Sequence, residues 1–199
     1  YNRASEWGSD AVITYKHDAF LFGAAVPDVE RGQFAERKPF FWQTDTSVAL
    51  NSWCYTESNT YRSARELVCD LVDIVSKNGC MLLNIGPKAD GSIPEEDRGI
   101  LLDIGKWLSK NGEAIYGTEL WRRSGEGPTE IPEGQFTDSI RKEFTSEDIR
   151  FTTANGCLYA TVLRPSESGS YVIRALGIQP AHEKDNFCGI IREISILGT

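Results

Sequence analysis

SARELVCDLVDIVSKNGCMLLNIGP, residues 63–87, decides the fold. Ala64, Leu67, Val68, Leu71, Val72 and Val75 recur three and four apart, which draws one apolar stripe down a helix. Ser63 with Glu66 three residues on has the form of a capping box, and Asn78-Gly79 supplies the stop. Cys80-Met81-Leu82-Leu83-Asn84-Ile85 then runs apolar until Gly86-Pro87, the pattern of a strand buried on both faces. A second helix is predicted from Pro94, with Glu95, Glu96 and Asp97 favouring its N-terminal dipole. Its stripe is Ile100, Leu101, Ile104, Trp107 and Leu108, and Lys110 with Gly112 closes it. Upstream, Ala11–Tyr15, Phe22–Val26 and Phe40–Trp42 are further strand candidates, and Tyr1–Ala4 reads as the end of a helix. Strands alternating with helices at this spacing mean βα units on a parallel sheet. The pattern by itself does not separate part of a barrel from a doubly wound sheet.

Beyond Trp121 the helical period vanishes, which divides the chain into an α/β part, residues 1–121, and an all-β part, residues 122–199. Ser124-Gly125-Glu126-Gly127-Pro128 reads as a linker. Ile149, Phe151 and Thr153 alternate up to Asn155-Gly156, and Leu158, Ala160 and Val162 alternate after it, the strongest short hairpin signal. Tyr171–Leu176 and Ile190–Ile196 are expected to add strands to an antiparallel sandwich. Glu143, Glu147 and Asp148 fall in polar stretches and read as solvated acids.

Composition narrows the function. The 199 residues are 40% apolar and 25% charged, ordinary for a globular chain, and no segment approaches the roughly 18 apolar residues of a membrane helix. For want of such a segment no membrane partner is expected, and a formal charge of −8 repels phosphate backbones, so nucleic acid is not an expected partner either. Cys54, Cys69, Cys80, Cys157 and Cys188 are scattered and odd in number, and only His17 and His182 are available to join them. Buried thiols are therefore expected rather than a metal site. The opening residues carry no readable targeting signal. Neither a GxxxxGK[ST] phosphate loop nor a Gly-x-Ser-x-Gly elbow occurs.

In βα folds the reactive groups sit where strands end. That rule selects Tyr15–Asp18, Val26–Gly32, Trp42–Asp45 and Asn84–Pro87, whose carboxylates are Asp18, Asp28, Glu30 and Asp45. Each is as readily a solvated loop acid, and Glu30 beside Arg31 as readily a surface ion pair.

Trp53-Cys54-Tyr55-Thr56, then Leu82–Pro87 with Asp90-Gly91, then Gly105-Lys106-Trp107-Leu108 and Asn111–Gly117 are more specific. Together they make the chain resemble the α-L-fucosidases of glycoside hydrolase family 29. The resemblance implies a partial (β/α)8-like barrel, its second half, over residues 1–121, followed by an incomplete antiparallel β-sandwich over 122–199. It implies a retaining hydrolase acting on a fucosylated oligosaccharide or glycoconjugate, with no cofactor or metal, in a secreted, periplasmic or lysosomal setting. Its nucleophile would be an Asp on the fourth barrel strand, upstream of Tyr1, so no residue here matches it and the first half of the barrel would be a required partner. The residue matching the general acid/base is Glu30, with Asp45 the runner-up. Gln43 stands where other branches carry a Glu, and an amide does not shuttle protons. Trp42, an aromatic at a strand end, suits the apolar face of fucose and equally suits ordinary core packing, and Lys16 and His17 loosely match substrate contacts at the strand-five exit. The alternative is a non-catalytic carbohydrate-binding or structural fragment.

Overall fold

The structure is a computed structural model and describes residues 2–140, 143–177, 187 and 189–197. A short helix α1 (Asn2–Glu6) leads into four parallel strands, β1 (Thr14–Tyr15), β2 (Val26–Glu30), β3 (Trp42–Ser47) and, after helix α2 (Ala64–Ser76), β4 (Gly79–Asn84). They pair in the order β1-β2-β3-β4. Helix α3 (Glu95–Asn111) follows, and then a second, antiparallel sheet of β5 (Glu119–Glu126), β6 (Ile149–Ala154) and β7 (Cys157–Val162).

The helix signals in residues 63–87 hold and a strand follows, but that strand is not buried on both faces, since Leu82 is exposed. The Ser63 hydroxyl accepts the Glu66 amide at 3.2 Å, and the Glu66 carboxylate accepts the Ser63 amide at 2.7 Å, so both halves of the capping box form. Asn78, at φ 73°, turns the chain out of the helix. The apolar stripe of α2 fills the main core, where Leu67 and Val72 meet Val48, Ile104 and Ile115. The hairpin also forms as expected, with Asn155 and Gly156 both at positive φ and Ala154 paired with Cys157.

Several expected boundaries move. Only Thr14–Tyr15 of the first candidate is strand, and the second strand begins at Val26, leaving Phe22 exposed. The third starts at Trp42 and runs on through polar Gln43–Ser47, so Asp28, Glu30 and Asp45 lie in strands rather than in loops. A polar strand gives no apolar run to find. It is stable because Thr44 Oγ1 donates to the carbonyls of Val29 and Gly32 at 2.9 and 2.7 Å.

In the C-terminal part, Ser124–Glu126 is no linker but the end of β5. A Cβ on Gly125 would lie 2.5 Å from the Ile149 carbonyl, so this glycine permits a close strand approach. Tyr171–Leu176 is not a strand either. Its amides at Arg174 and Ala175 donate to the Glu126 carboxylate at 2.8 and 2.7 Å, and one 3₁₀ turn forms. Ile190–Ile196 forms no strand, and Ile190 and Ile194 are exposed. Cys54, Cys69, Cys80 and Cys157 are free thiols, but only Cys69 is buried. His182 and Cys188 lie outside the described residues.

Asp148 corrects the reading of the acids. Glu143 and Glu147 are exposed, but Asp148 is 0% exposed. Its carboxylate accepts the amides of Thr129 and Thr145 and both threonine hydroxyls.

Candidate active site

Parallel pairing in register places side chains in rows across the sheet. Glu30 lies opposite Asp45, and Asp45 opposite Leu82; two residues earlier, Asp28, Gln43 and Cys80 form the row beneath. Residues two apart share a face, so these six make one face of the sheet. Val29, Trp42 and Met81 make the other, packed with Ile74 of α2.

One cation meets three acids on the first face. From the exit of β1, Lys16 Nζ reaches both oxygens of Asp45 at 2.7 Å, Glu30 Oε2 at 3.1 Å and Asp28 Oδ2 at 3.5 Å. Burial works against its charge, but the hydrogen bonds to Asp45 and Glu30 outweigh it and push the ammonium above an ordinary lysine. Asp28 is the deepest of the acids, and its Oδ1 is buried without a hydrogen-bond partner. Burial first and the Asp45 charge second raise its carboxyl, with Lys16 pulling back only in part. Burial, and then the charge of Asp28, likewise hold the Cys80 thiol protonated. One ammonium faces three carboxyl groups, and it is at Asp28 that burial and the like charge of Asp45 favour the protonated form.

The other expected residues are placed differently. Trp42 is 0% exposed at the first residue of β3, the end opposite the acids. Its Nε1 donates to the Lys77 carbonyl at 3.0 Å, and its ring meets Phe34 edge-on. It is therefore a core residue and no sugar platform. His17 is exposed just past Lys16, with Nδ1 3.1 Å from Gln135 Nε2. Asp18 stays exposed in the following turn.

Sequence reading missed two features. Arg31, at φ 48°, is buried directly after Glu30; its guanidinium donates to the carbonyls of Ala49 and Leu50 and pairs with Asp138 at 3.3 Å. It braces the end of β2 against the loop that follows β3. The second is the segment Pro132–Asp138, which crosses the sheet exit beside Glu30. Neither shows periodicity or a motif. The only visible signal was an Arg-Gly pair after the candidate acid.

Carboxyl groups around a cation at the exit of parallel strands are the equipment of acid–base hydrolysis. Comparisons with known proteins identify a family. Residues 4–113, more than half of the chain, match the family model for alpha-L-fucosidase. The chain belongs to that family, glycoside hydrolase family 29. It is 35% identical over 131 residues to the tissue alpha-L-fucosidase of Mus musculus, covering 64% of this chain and 25% of that one. A solved alpha-L-fucosidase superposes with a TM-score of 0.66 at 27% identity, over 83% of this chain and 34% of the other. The Thermotoga maritima alpha-fucosidase in complex with fucose gives 0.52 at 31%, over 70% and 28%. The chain thus spans about a quarter of its curated relative.

Proposed function

We propose that this chain carries the acid/base side of a retaining α-L-fucosidase site, acting on terminal fucose of an oligosaccharide or glycoconjugate. Glu30 protonates the leaving oxygen and later, as a carboxylate, takes the proton from the attacking water. The observation that carries this is the unequal grip of Lys16. It engages both oxygens of Asp45 but one oxygen of Glu30, and Glu30 keeps 24% of its side chain exposed at the strand exit. Glu30 Oε1 is thereby left to hold a proton towards a substrate, while Asp45 fixes the ammonium. Lys16 also stabilises the Glu30 carboxylate once its proton has gone. His17 lies beside the same exit as a second substrate contact.

In this reading residues 1–121 are the second half of a (β/α)8-like barrel and residues 122–199 part of a β-sandwich, with β5 spanning the junction. By its resemblance to the family, the nucleophilic Asp belongs to the other half of the barrel, where it would face Glu30 across the sugar at the roughly 5–5.5 Å that retention requires. Leu82, Val12 and Leu21, which are 57%, 76% and 86% exposed, support a need for that partner. The Thermotoga protein that holds fucose supports the choice of sugar.

The test is Glu30→Gln in the full-length parent enzyme. General acid catalysis is worth about 10²–10⁴-fold, so turnover of a fucosylated oligosaccharide falls by that order. An aryl fucoside, whose leaving group needs little protonation, loses much less in its first step. Near-normal turnover of the oligosaccharide would exclude Glu30 and move the acid/base role to Asp45.

A further inference from the structure

The segment Pro132–Asp138 belongs by sequence to the C-terminal part, yet it lies along the exit of β2. Its amides at Gly134, Phe136 and Asp138 donate to the carbonyls of Gln33, Glu30 and Arg31 at 3.0, 2.8 and 3.0 Å, and Gly134 forms an antiparallel bridge with Gln33. β1 stops at the level of Pro27, so the segment takes up the edge of β2 that β1 leaves free. It therefore runs between the two exits that carry His17 and Glu30. Gln135 closes the gap with its amide nitrogen 3.1 Å from His17 Nδ1, while its Oε1 is buried without a partner.

Phe136 is the telling residue. It holds φ at 56°, a conformation that is an outlier for a bulky side chain. The ring gains little from packing in return, being 59% exposed with no aromatic partner among the described residues. Its backbone is bonded to Glu30 itself, which sets the two residues about one strand spacing, ~4.8 Å, apart. Strain kept at an exposed aromatic beside an acid is a mark of function rather than of stability.

We infer that Pro132–Asp138 walls the leaving-group side of the site, with Phe136 the platform for the sugar that departs and Gln135 a positioning residue for His17. This rests on the proposed role of Glu30, because the group that Glu30 protonates must lie against Glu30. The apolar C–H face of a pyranose is the surface an aromatic ring takes, and the ligand is accordingly the acceptor saccharide rather than the fucose.

Phe136→Gly in the full-length parent enzyme is the informative variant, since glycine adopts this φ freely and the ring is lost without new strain. Two substrates are compared: a fucosyl disaccharide, and α-L-fucosyl fluoride, which has no sugar to release. The expected result is a fall of about three- to tenfold in kcat/KM for the disaccharide, mostly in KM, the size of a lost ring contact. Fucosyl fluoride is unaffected, the melting temperature is equal or higher, and Phe136→Tyr keeps the disaccharide preference. Equal losses on both substrates, no loss on either, or failure of Phe136→Gly to fold would overturn the inference. A wild-type parent that hydrolyses neither substrate would instead overturn the fucosidase reading beneath it.

Discussion

Four donors converge on the carboxylate of Asp148, and none of them reaches water through it. Burial alone would raise its pKa, but the Thr145 and Thr129 hydrogen bonds hold it below the usual carboxylate range. A carboxyl lowered in the native state adds stability above its unfolded pKa of about 3.9, and loses it as pH falls through the lower native value. Asp148→Ala leaves two half-buried amides without their acceptor and is expected to cost about 2 kcal/mol at pH 7, read from urea unfolding. The difference from wild type should shrink below about pH 4, as the native carboxyl protonates. A cost within about 0.5 kcal/mol at pH 7, typical of a surface site, would contradict this account. The acid was misread because its neighbours Glu143 and Glu147 are indeed exposed, and no one-residue signal says which of three nearby acids turns inward. Lys16, Glu30 and Asp45 were legible as strand-exit residues. Their convergence on one ammonium was not, since register between strands 14 and 29 residues apart is not written in local pattern.

Elements were legible in proportion to how local their stabilisation is. Helix α2 carries its own cap and stripe, and the β6–β7 hairpin its own turn; both appear where expected. Strand β3 depends on partners instead: its threonines bond neighbouring backbone and its acids answer Lys16, so nothing in Trp42–Ser47 alone announces a strand. Trp42 follows from the same cause. Once the strand is known to begin rather than end at Trp42, its ring must lie at the end away from the acids, against Gly79. A Cβ on Gly79 would stand 2.5 Å from that ring and 2.7 Å from Ile74. Gly79→Ala is expected to destabilise the fold by about 1–3 kcal/mol through overpacking, measured by thermal or urea unfolding. A neutral Gly79→Ala would mean that the Trp42 pocket is loose and the ring free to leave it.

The molecule as a whole is tied together by buried charge. Asp73 on α2 pairs with Lys77 at 2.6 Å and with the Arg150 guanidinium of β6, joining the two sheets' layers through one carboxylate. Burial lowers the Lys77 pKa, and the Asp73 charge and hydrogen bond recover part of the loss. Removing the shared carboxylate strands two buried cations, so Asp73→Ala should cost about 3 kcal/mol and lower the urea midpoint. An unchanged midpoint would show that the sheets are held by apolar packing alone. This clamp and the Pro132–Asp138 crossing both join residues far apart in sequence, which is why the change of pattern after Trp121 was visible and the traffic across it was not.

Azide rescue of Glu30→Ala and of Asp45→Ala, in the full-length parent on an aryl α-L-fucoside, separates the two carboxyl groups. If Glu30 is the acid/base, Glu30→Ala still forms the glycosyl-enzyme but cannot activate water. Azide then attacks without base assistance, turnover rises with its concentration, and fucosyl azide accumulates. Asp45→Ala, which loses only the anchor of Lys16, gains nothing from azide. Rescue of Asp45→Ala with none for Glu30→Ala would contradict the account and move the proton to Asp45.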